Sequence, residues 1–187
     1  IMTMIGALLT SLVMAREYER GTLESLFVTP VGSGEILTAK AATNFLLGMV
    51  SLAISMIFAA FVFDIPIRGS LILLLAVSAL FLIVALGLGL VISTATKNQF
   101  LACQFAIMGT FMPALMLSGF LYDILNMPPA VRAITYIIPA RYYVTLLQTL
   151  FLAGDIPSVI IPCCITLGVF AVVLMGIARL KAPKSLE

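Results

Sequence analysis

The sequence contains no histidine, and charged residues make up only 10% of its 187 positions. Without histidine, an intramembrane serine protease has no base for its serine, and a histidine proton relay or metal ligand is excluded. The phosphate-binding motif G-x-x-x-x-G-K-[ST] is absent as well. Gly87-Leu88-Gly89 lacks the third glycine and the βαβ context of a dinucleotide-binding turn. Any ATP chemistry therefore belongs to another chain.

Cysteine is scarce, and the three that occur lie in apolar stretches: Cys103, Cys163 and Cys164. Their spacing matches neither a metal-ligand motif nor a disulfide framework, so we interpret them as small buried hydrophobic side chains. Charges are also missing from the centres of the apolar runs, where proton- and sodium-coupled transporters usually carry a carboxylate, an arginine or a histidine. We expect no catalytic, cofactor or metal site on this chain.

Apolar residues are abundant instead: 63% of the chain is hydrophobic and the mean hydropathy is +1.23. Soluble proteins average about 45–50% apolar and about 25% charged residues. The composition therefore excludes a soluble enzyme and predicts a polytopic membrane protein surrounded by lipids. The net charge of +2 gives no indication of nucleic-acid binding.

Apolar runs longer than about 17 residues can cross the roughly 30 Å hydrocarbon core as helices. We predict one all-α transmembrane domain, 1–187, with complete spans at 41–63, 70–96, 100–122 and 156–178. The other segments are a partial span (1–15), a cytoplasmic connector (16–40), an external segment (123–155) and a cytoplasmic tail (179–187). We expect the first span, with any external domain after it, to be missing from this sequence, and Leu186-Glu187 to be a cloning remnant.

The basic residues set the orientation of these spans. With the connector inside, seven of the ten basic residues lie on the cytoplasmic side and three lie outside, as the positive-inside rule requires. The inside residues are Arg16, Arg20, Lys40, Lys97, Arg179, Lys181 and Lys184, and the outside residues are Arg68, Arg132 and Arg141.

The connector holds seven of the eighteen charged residues, and placing them in hydrocarbon would cost more than about 10 kcal/mol. Within it, Leu23, Leu26 and Phe27 recur at helical spacing. Pro30 ends that helix, and Ser33 can cap the next one. The pattern predicts a short amphipathic helix between two spans. The residues leave open an alternative, a solvated loop whose apolar side chains lie against the headgroups.

The external segment 123–155 is too apolar for an ordinary loop. Its prolines divide it into two pieces, Ala130–Ile138 and Arg141–Ala153, and both are too short to span. We predict two short helices that dip back into the outer leaflet as a re-entrant hairpin. The alternative is a cap that only packs on its neighbours.

Polar side chains of this hairpin suit the level of the lipid headgroups. Arg132 and Arg141 are expected to extend to the headgroups or to pair with Asp123 or Asp155. The tyrosines expected in an interfacial aromatic belt are Tyr136, Tyr142 and Tyr143.

Two stretches carry a family resemblance. The connector reads E-x-x-x-G-T-x-E-x-L-x-x-T-P from Glu17 to Pro30, and the hairpin contains M-P-P and I-P-A-R. Both resemble the corresponding segments of bacterial ABC-2 type permeases, the membrane subunits of one class of ATP-binding-cassette exporters. The resemblance extends over essentially the whole chain and implies the helix-bundle fold of this class (type V-like exporters), with a cytoplasmic coupling helix and an external re-entrant hairpin.

The resemblance also implies roles for particular residues. The short helix would dock into a groove of a separate ATPase subunit, which carries the ATP and Mg²⁺. Two permease subunits, identical or different, would enclose the translocation path, with the hairpin as its external gate. The implied docking residues are Gly21, Thr22, Leu23, Glu24, Leu26, Phe27, Thr29 and Pro30. The implied gate residues are Pro128, Pro129, Pro139, Arg141 and Tyr142.

We therefore expect a non-catalytic permease subunit of an exporter in the bacterial inner membrane, moving an amphiphilic, drug-like or lipid substrate. Spans without a built-in energy-coupling residue and a docking helix together favour transport driven from outside the chain. One rival is a non-transporting scaffold or sensor subunit bound to an ATPase. A passive channel is a third interpretation, but it requires polar pore-lining faces, and the spans have few.

Overall fold

The computed structural model describes residues 2–20, 33–62, 68–96 and 98–181 of the chain. Every secondary-structure element in these ranges is helical. Because a lipid core offers no hydrogen-bond partners, a chain this apolar satisfies its backbone within helices. The predicted all-α class is confirmed.

Eight α-helices occur in the described ranges. Helix α1 (Thr10–Arg20) follows a π-helical segment, Met4–Leu9, and precedes α2 (Ser33–Phe61) and α3 (Leu71–Thr96). The next helical stretch consists of α4 (Gln99–Ala106), a π-helical segment (Ile107–Phe111) and α5 (Met112–Leu117). After these come α6 (Pro129–Thr135), α7 (Pro139–Gln148) with a π-helical extension to Ala153, and α8 (Pro157–Lys181).

Four stretches in the described ranges are long and apolar enough to cross a membrane, namely Ala39–Ala59, Leu71–Thr96, Gln99–Leu117 and Pro157–Leu180. The predicted polytopic bundle is thus confirmed. Half of the α3 span is buried inside the bundle, against 22% or less for the other three spans. Helix α3 is therefore the central helix, and the other elements pack around it.

Small residues on α3 allow its neighbours to approach closely. A Cβ atom at Gly89 would lie 2.6 Å from the carbonyl oxygen of Ala7, and one at Gly87 would lie 3.0 Å from the Leu174 Cβ. On the other helix, a Cβ at Gly6 would lie 2.5 Å from the Ala85 Cβ. The close packing predicted for Ala85, Gly87 and Gly89 is confirmed, since van der Waals contact replaces the hydrophobic effect in lipid.

The predicted alternation of spans assigns Asn98 to the cytoplasmic face of the membrane and Asn126 to the outer face. Asn98 caps α4 by accepting a hydrogen bond from the Leu101 amide at 3.1 Å, and Asn126 is exposed in the hairpin. In a permease without its native cysteines, a lone Asn98→Cys should react with an impermeant maleimide only from the cytoplasm, and Asn126→Cys only from outside. Losing the cap costs about 1 kcal/mol, too little to unfold the bundle. Labelling of both positions from one face would contradict the topology.

Candidate functional site

The hairpin segment 123–155 contains two short helices whose starts are set by proline. Pro129 begins α6 after Pro128 in an extended conformation, and Pro139 begins α7 after the extended Ile138. The first amides of a helix have no intrahelical acceptor, so a residue without an N–H is suited to this position. All three predicted gate prolines thus lie at helix starts; their role as a gate remains a prediction.

Arg141 and Tyr142, the other predicted gate residues, connect the two helices of the hairpin. The Arg141 Nη1 atom donates to the Thr135 hydroxyl, and its guanidinium group lies 3.9 Å from the centroid of the Tyr136 ring. The Tyr142 hydroxyl donates to the Tyr136 carbonyl at 3.0 Å. A cation over an aromatic face contributes about 0.5–2 kcal/mol, so these contacts hold the start of α7 against the end of α6. Arg141 thus contacts Thr135 and Tyr136, and its expected position at the level of the headgroups stays a prediction.

The end of the hairpin is held by the turn that precedes α3. The Gly69 amide donates to the Leu150 carbonyl at 2.9 Å, and the Arg68 Nη1 donates to the Leu152 carbonyl at 3.2 Å. In return, Asp155 accepts a hydrogen bond from the Ser70 amide at 3.0 Å. Pairing of Asp155 with Arg132 or Arg141 was one of the predicted alternatives; in the structure Asp155 joins the turn before α3 to the end of the hairpin segment.

Tyr143 anchors α7 to the centre of the bundle. Its ring is 7% exposed and stacks on Phe81 of α3, with centroids 4.2 Å apart and planes 1° apart. Its hydroxyl lies 3.0 Å from the Ser78 Oγ and donates to the Met2 sulfur at 3.2 Å. Burial raises the pKa of Tyr143, and the Ser78 hydrogen bond offsets part of that rise, so the phenol is neutral.

The expectation that Tyr143 lies in an interfacial belt is wrong. Neighbouring residues on a helix point about 100° apart, so Tyr142 and Tyr143 cannot face the same surroundings. Ala140, Tyr143, Leu146 and Leu150 form one buried stripe at helical spacing. That spacing is visible in the sequence and could have identified Tyr143 as an inward-facing residue.

Two cavities lie beneath the hairpin, with volumes of about 480 and 360 Å³. Residues of α3, α5 and α7 line both, and no charged side chain of the described part contributes to either wall. Cavities of this size accept small organic ligands. The walls shared by the two cavities are formed by Thr3, Phe81, Ala114 and Ala140.

At the opposite end of the bundle, polar contacts join α1 to α2. Glu17 and Lys40 form an ion pair, with exposed side-chain fractions of 21% and 26%. Closer to the middle of the bundle, the Asn44 Nδ2 donates to the Thr10 hydroxyl at 3.1 Å, and both residues are buried. The predicted docking residues, Gly21 to Pro30, lie outside the described residues, between the two helices that these contacts join. Neither contact was anticipated from the sequence.

The described ranges contain no group of three or more histidine, cysteine or acidic residues arranged to hold a metal ion. The cysteines there are free thiols.

A family model described as ABC-2 type transporter matches residues 1–152. The chain is 49% identical over 187 residues to the probable multidrug ABC transporter permease YbhS of Escherichia coli K12, covering all of this chain and 50% of that protein. It is 32% identical over 156 residues to the probable multidrug ABC transporter permease YbhR of the same strain, covering 81% of this chain and 41% of that protein. The inner membrane transport permease YhhJ of this strain is 29% identical over 185 residues, 98% of this chain and 49% of that protein.

The chain thus spans about half the length of the curated relatives it matches. No solved structure matches it.

Proposed function

Because the chain belongs to the ABC-2 type transporter family, we propose that it forms the permease part of an exporter driven by a separate ATPase. Its four candidate spans and its relatives make it a multi-pass protein of the inner membrane. The substrate we propose is an uncharged or weakly polar amphiphile. The main support for this choice is the pair of charge-free cavities beneath the hairpin.

The proposed mechanism assigns one task to each end of the bundle. ATP and Mg²⁺ bind the partner ATPase, whose closure pushes on the segment 22–29, for which the sequence predicts a coupling helix. The adjoining helices α1 and α2 then move as a pair, because Glu17 binds Lys40 and Asn44 binds Thr10. At the other end, α7 is bound to α3 through Tyr143. A shift of α1 relative to α3 therefore changes the volume of the two cavities beneath the hairpin.

Purification followed by reconstitution tests this function. The full-length permease is isolated from native membranes, its co-purifying ATPase is identified, and both are placed in proteoliposomes with a fluorescent neutral amphiphile. We expect ATP-dependent movement of the dye and dye-stimulated ATP hydrolysis. An ATPase whose P-loop lysine is replaced provides the control.

The same experiment separates the rival function. A scaffold or sensor subunit would co-purify with the ATPase but would move no dye, even if the dye stimulated ATP hydrolysis. Absence of any ATPase from the purified complex would contradict both functions.

A further inference from the structure

The candidate span Gln99–Leu117 has a weak point in its middle. Its helix widens to a π-helical turn over Ile107–Phe111, where the Met112 amide donates to the Ile107 carbonyl, five residues earlier. Pro113 explains this turn, because a proline has no N–H and its ring clashes with the carbonyl four residues before it in a regular α-helix. Turns of this kind are frequent at kinks and at functional sites.

The two halves of this span are held differently. The first half, α4, packs on α1 and α3, and its Ala102 and Ala106 are fully buried. The second half, α5, packs on α7 of the hairpin and contains no buried residue. Shortly after α5 comes Gly119, whose φ of 86° is a conformation that favours glycine. Helix α5 is therefore a short segment between two joints.

The other π-helical segments of the described ranges are tied to their neighbours. In the segment before α1, a Cβ at Gly6 would lie only 2.5 Å from the Ala85 Cβ. The extension of α7 is bound to the turn before α3 through the Leu150 carbonyl, which accepts a hydrogen bond. In the turn between α4 and α5, by contrast, a Cβ at Gly109 would meet no atom within 4 Å. This turn is thus the one with room to bend.

Both cavities beneath the hairpin border this turn. Gly109 and Pro113 line the cavity of about 360 Å³, Phe111 lines the one of about 480 Å³, and Ala114 lines both. A bend of about 20° would move the far end of α5 by about 4 Å, since eight residues of helix extend about 12 Å. Such a movement would change the volume of both cavities.

We propose that α5 swings about the π-helical turn at Gly109, and that this swing opens and closes the two cavities during transport. Its role in transport rests on the proposed function. The swing itself is a property of this chain and is measurable without an ATPase.

Distances between spin labels test the swing in the full-length permease, without its native cysteines, in nanodiscs. A label at Met116 on α5 or at Phe105 on α4 is paired with one at Ile72 on α3, and all three positions are exposed. Pulsed electron paramagnetic resonance should give a broader distance distribution for 116–72 than for 105–72. Pro113→Ala restores an N–H that can pair with the Gly109 carbonyl, so it should narrow the first distribution and leave the second unchanged.

Gly109→Ala tests the role of the turn in transport. The added methyl group meets no neighbour, and alanine favours a regular helix over glycine, so the fold should persist while the swing becomes rarer. ATP-dependent dye movement should fall about two- to five-fold, which corresponds to the helix preference of alanine over glycine. Gly168→Ala in α8 is the matched control: its Cβ also meets no atom within 4 Å, and it should transport like the wild type.

Equal widths of the two distance distributions in the otherwise unchanged permease would overturn the swing, even if the permease transports the dye. Normal transport by both Gly109→Ala and Pro113→Ala would overturn its role in transport. Absence of a co-purifying ATPase would contradict the exporter function alone, because the distance measurement would still decide whether α5 swings.

Discussion

Reversing the charge of Glu17 is expected to abolish substrate-stimulated ATP hydrolysis and transport, and reversing Lys40 in the same chain is expected to restore both. In Glu17→Lys, two ammonium groups face each other where the wild type has an ion pair that is about three-quarters buried. Breaking an exposed pair costs less than about 1 kcal/mol and breaking a buried one about 3–5. At this intermediate burial we expect about 1–3 kcal/mol, enough to separate the two helix ends locally without unfolding the bundle.

The position of this pair explains why a small local cost should have a large effect on coupling. Helix α1 ends at Arg20 and α2 begins at Ser33, so Glu17 and Lys40 each lie within two helical turns of the helix end that faces the proposed docking segment. If the ends separate, a push from the ATPase is absorbed there and does not reach the spans. The deeper contact between Asn44 and Thr10 would remain, which is why the fold should survive.

The measurement compares Glu17→Lys, Lys40→Glu and the double variant in the reconstituted complex. Glu19→Lys, an exposed change of the same charge on the same helix, is the control and should behave like the wild type. Basal ATP hydrolysis and the melting temperature report on assembly and folding. A double variant as inactive as the single ones would show that the individual side chains matter and the pair does not.

The four stretches of the described ranges that are long and apolar enough to cross a membrane were predictable from the sequence, because long apolar runs alternate with short charged ones. The close approach at Gly87 and Gly89 was also predictable, since few residues allow helices to touch in lipid. The direction in which each span faces was not predictable from the sequence. A membrane helix is apolar on the lipid side and on the protein side alike, so its periodicity carries little information about its partners.

Polar residues within the spans are the exceptions that could have indicated the faces. Ser78, Asn44 and Thr10 are all buried in the bundle, and each takes part in a contact between helices. Which partner each one meets depends on the three-dimensional arrangement: Asn44 and Thr10 are 34 residues apart, and Ser78 and Tyr143 are 65 apart.

Replacing Tyr143 with alanine is expected to detach the hairpin from the bundle. The change removes a ring that is stacked on Phe81, and removal of a large buried aromatic side chain costs about 3–5 kcal/mol. It also removes the hydrogen-bond partner of the Ser78 hydroxyl and enlarges the cavity of about 480 Å³, whose wall Tyr143 lines. We expect a markedly lower melting temperature, loss of transport, and faster hydrogen exchange at the amides of 143–150.

Tyr143→Phe separates the contribution of the ring from that of the hydroxyl. It keeps the stack on Phe81 and loses only the hydrogen bonds to Ser78 and Met2, so the cost should be about 1 kcal/mol and transport should persist. Tyr122→Ala is the matched control: the same substitution at a tyrosine that is 62% exposed should leave stability and exchange near the wild type. If Tyr143→Phe were as harmful as Tyr143→Ala, the hydroxyl network, and not the stacked ring, would be what holds α7 on α3. If neither variant changed exchange in 143–150, α7 would be held by the contacts of Gly69, Arg68 and Asp155 at its other end.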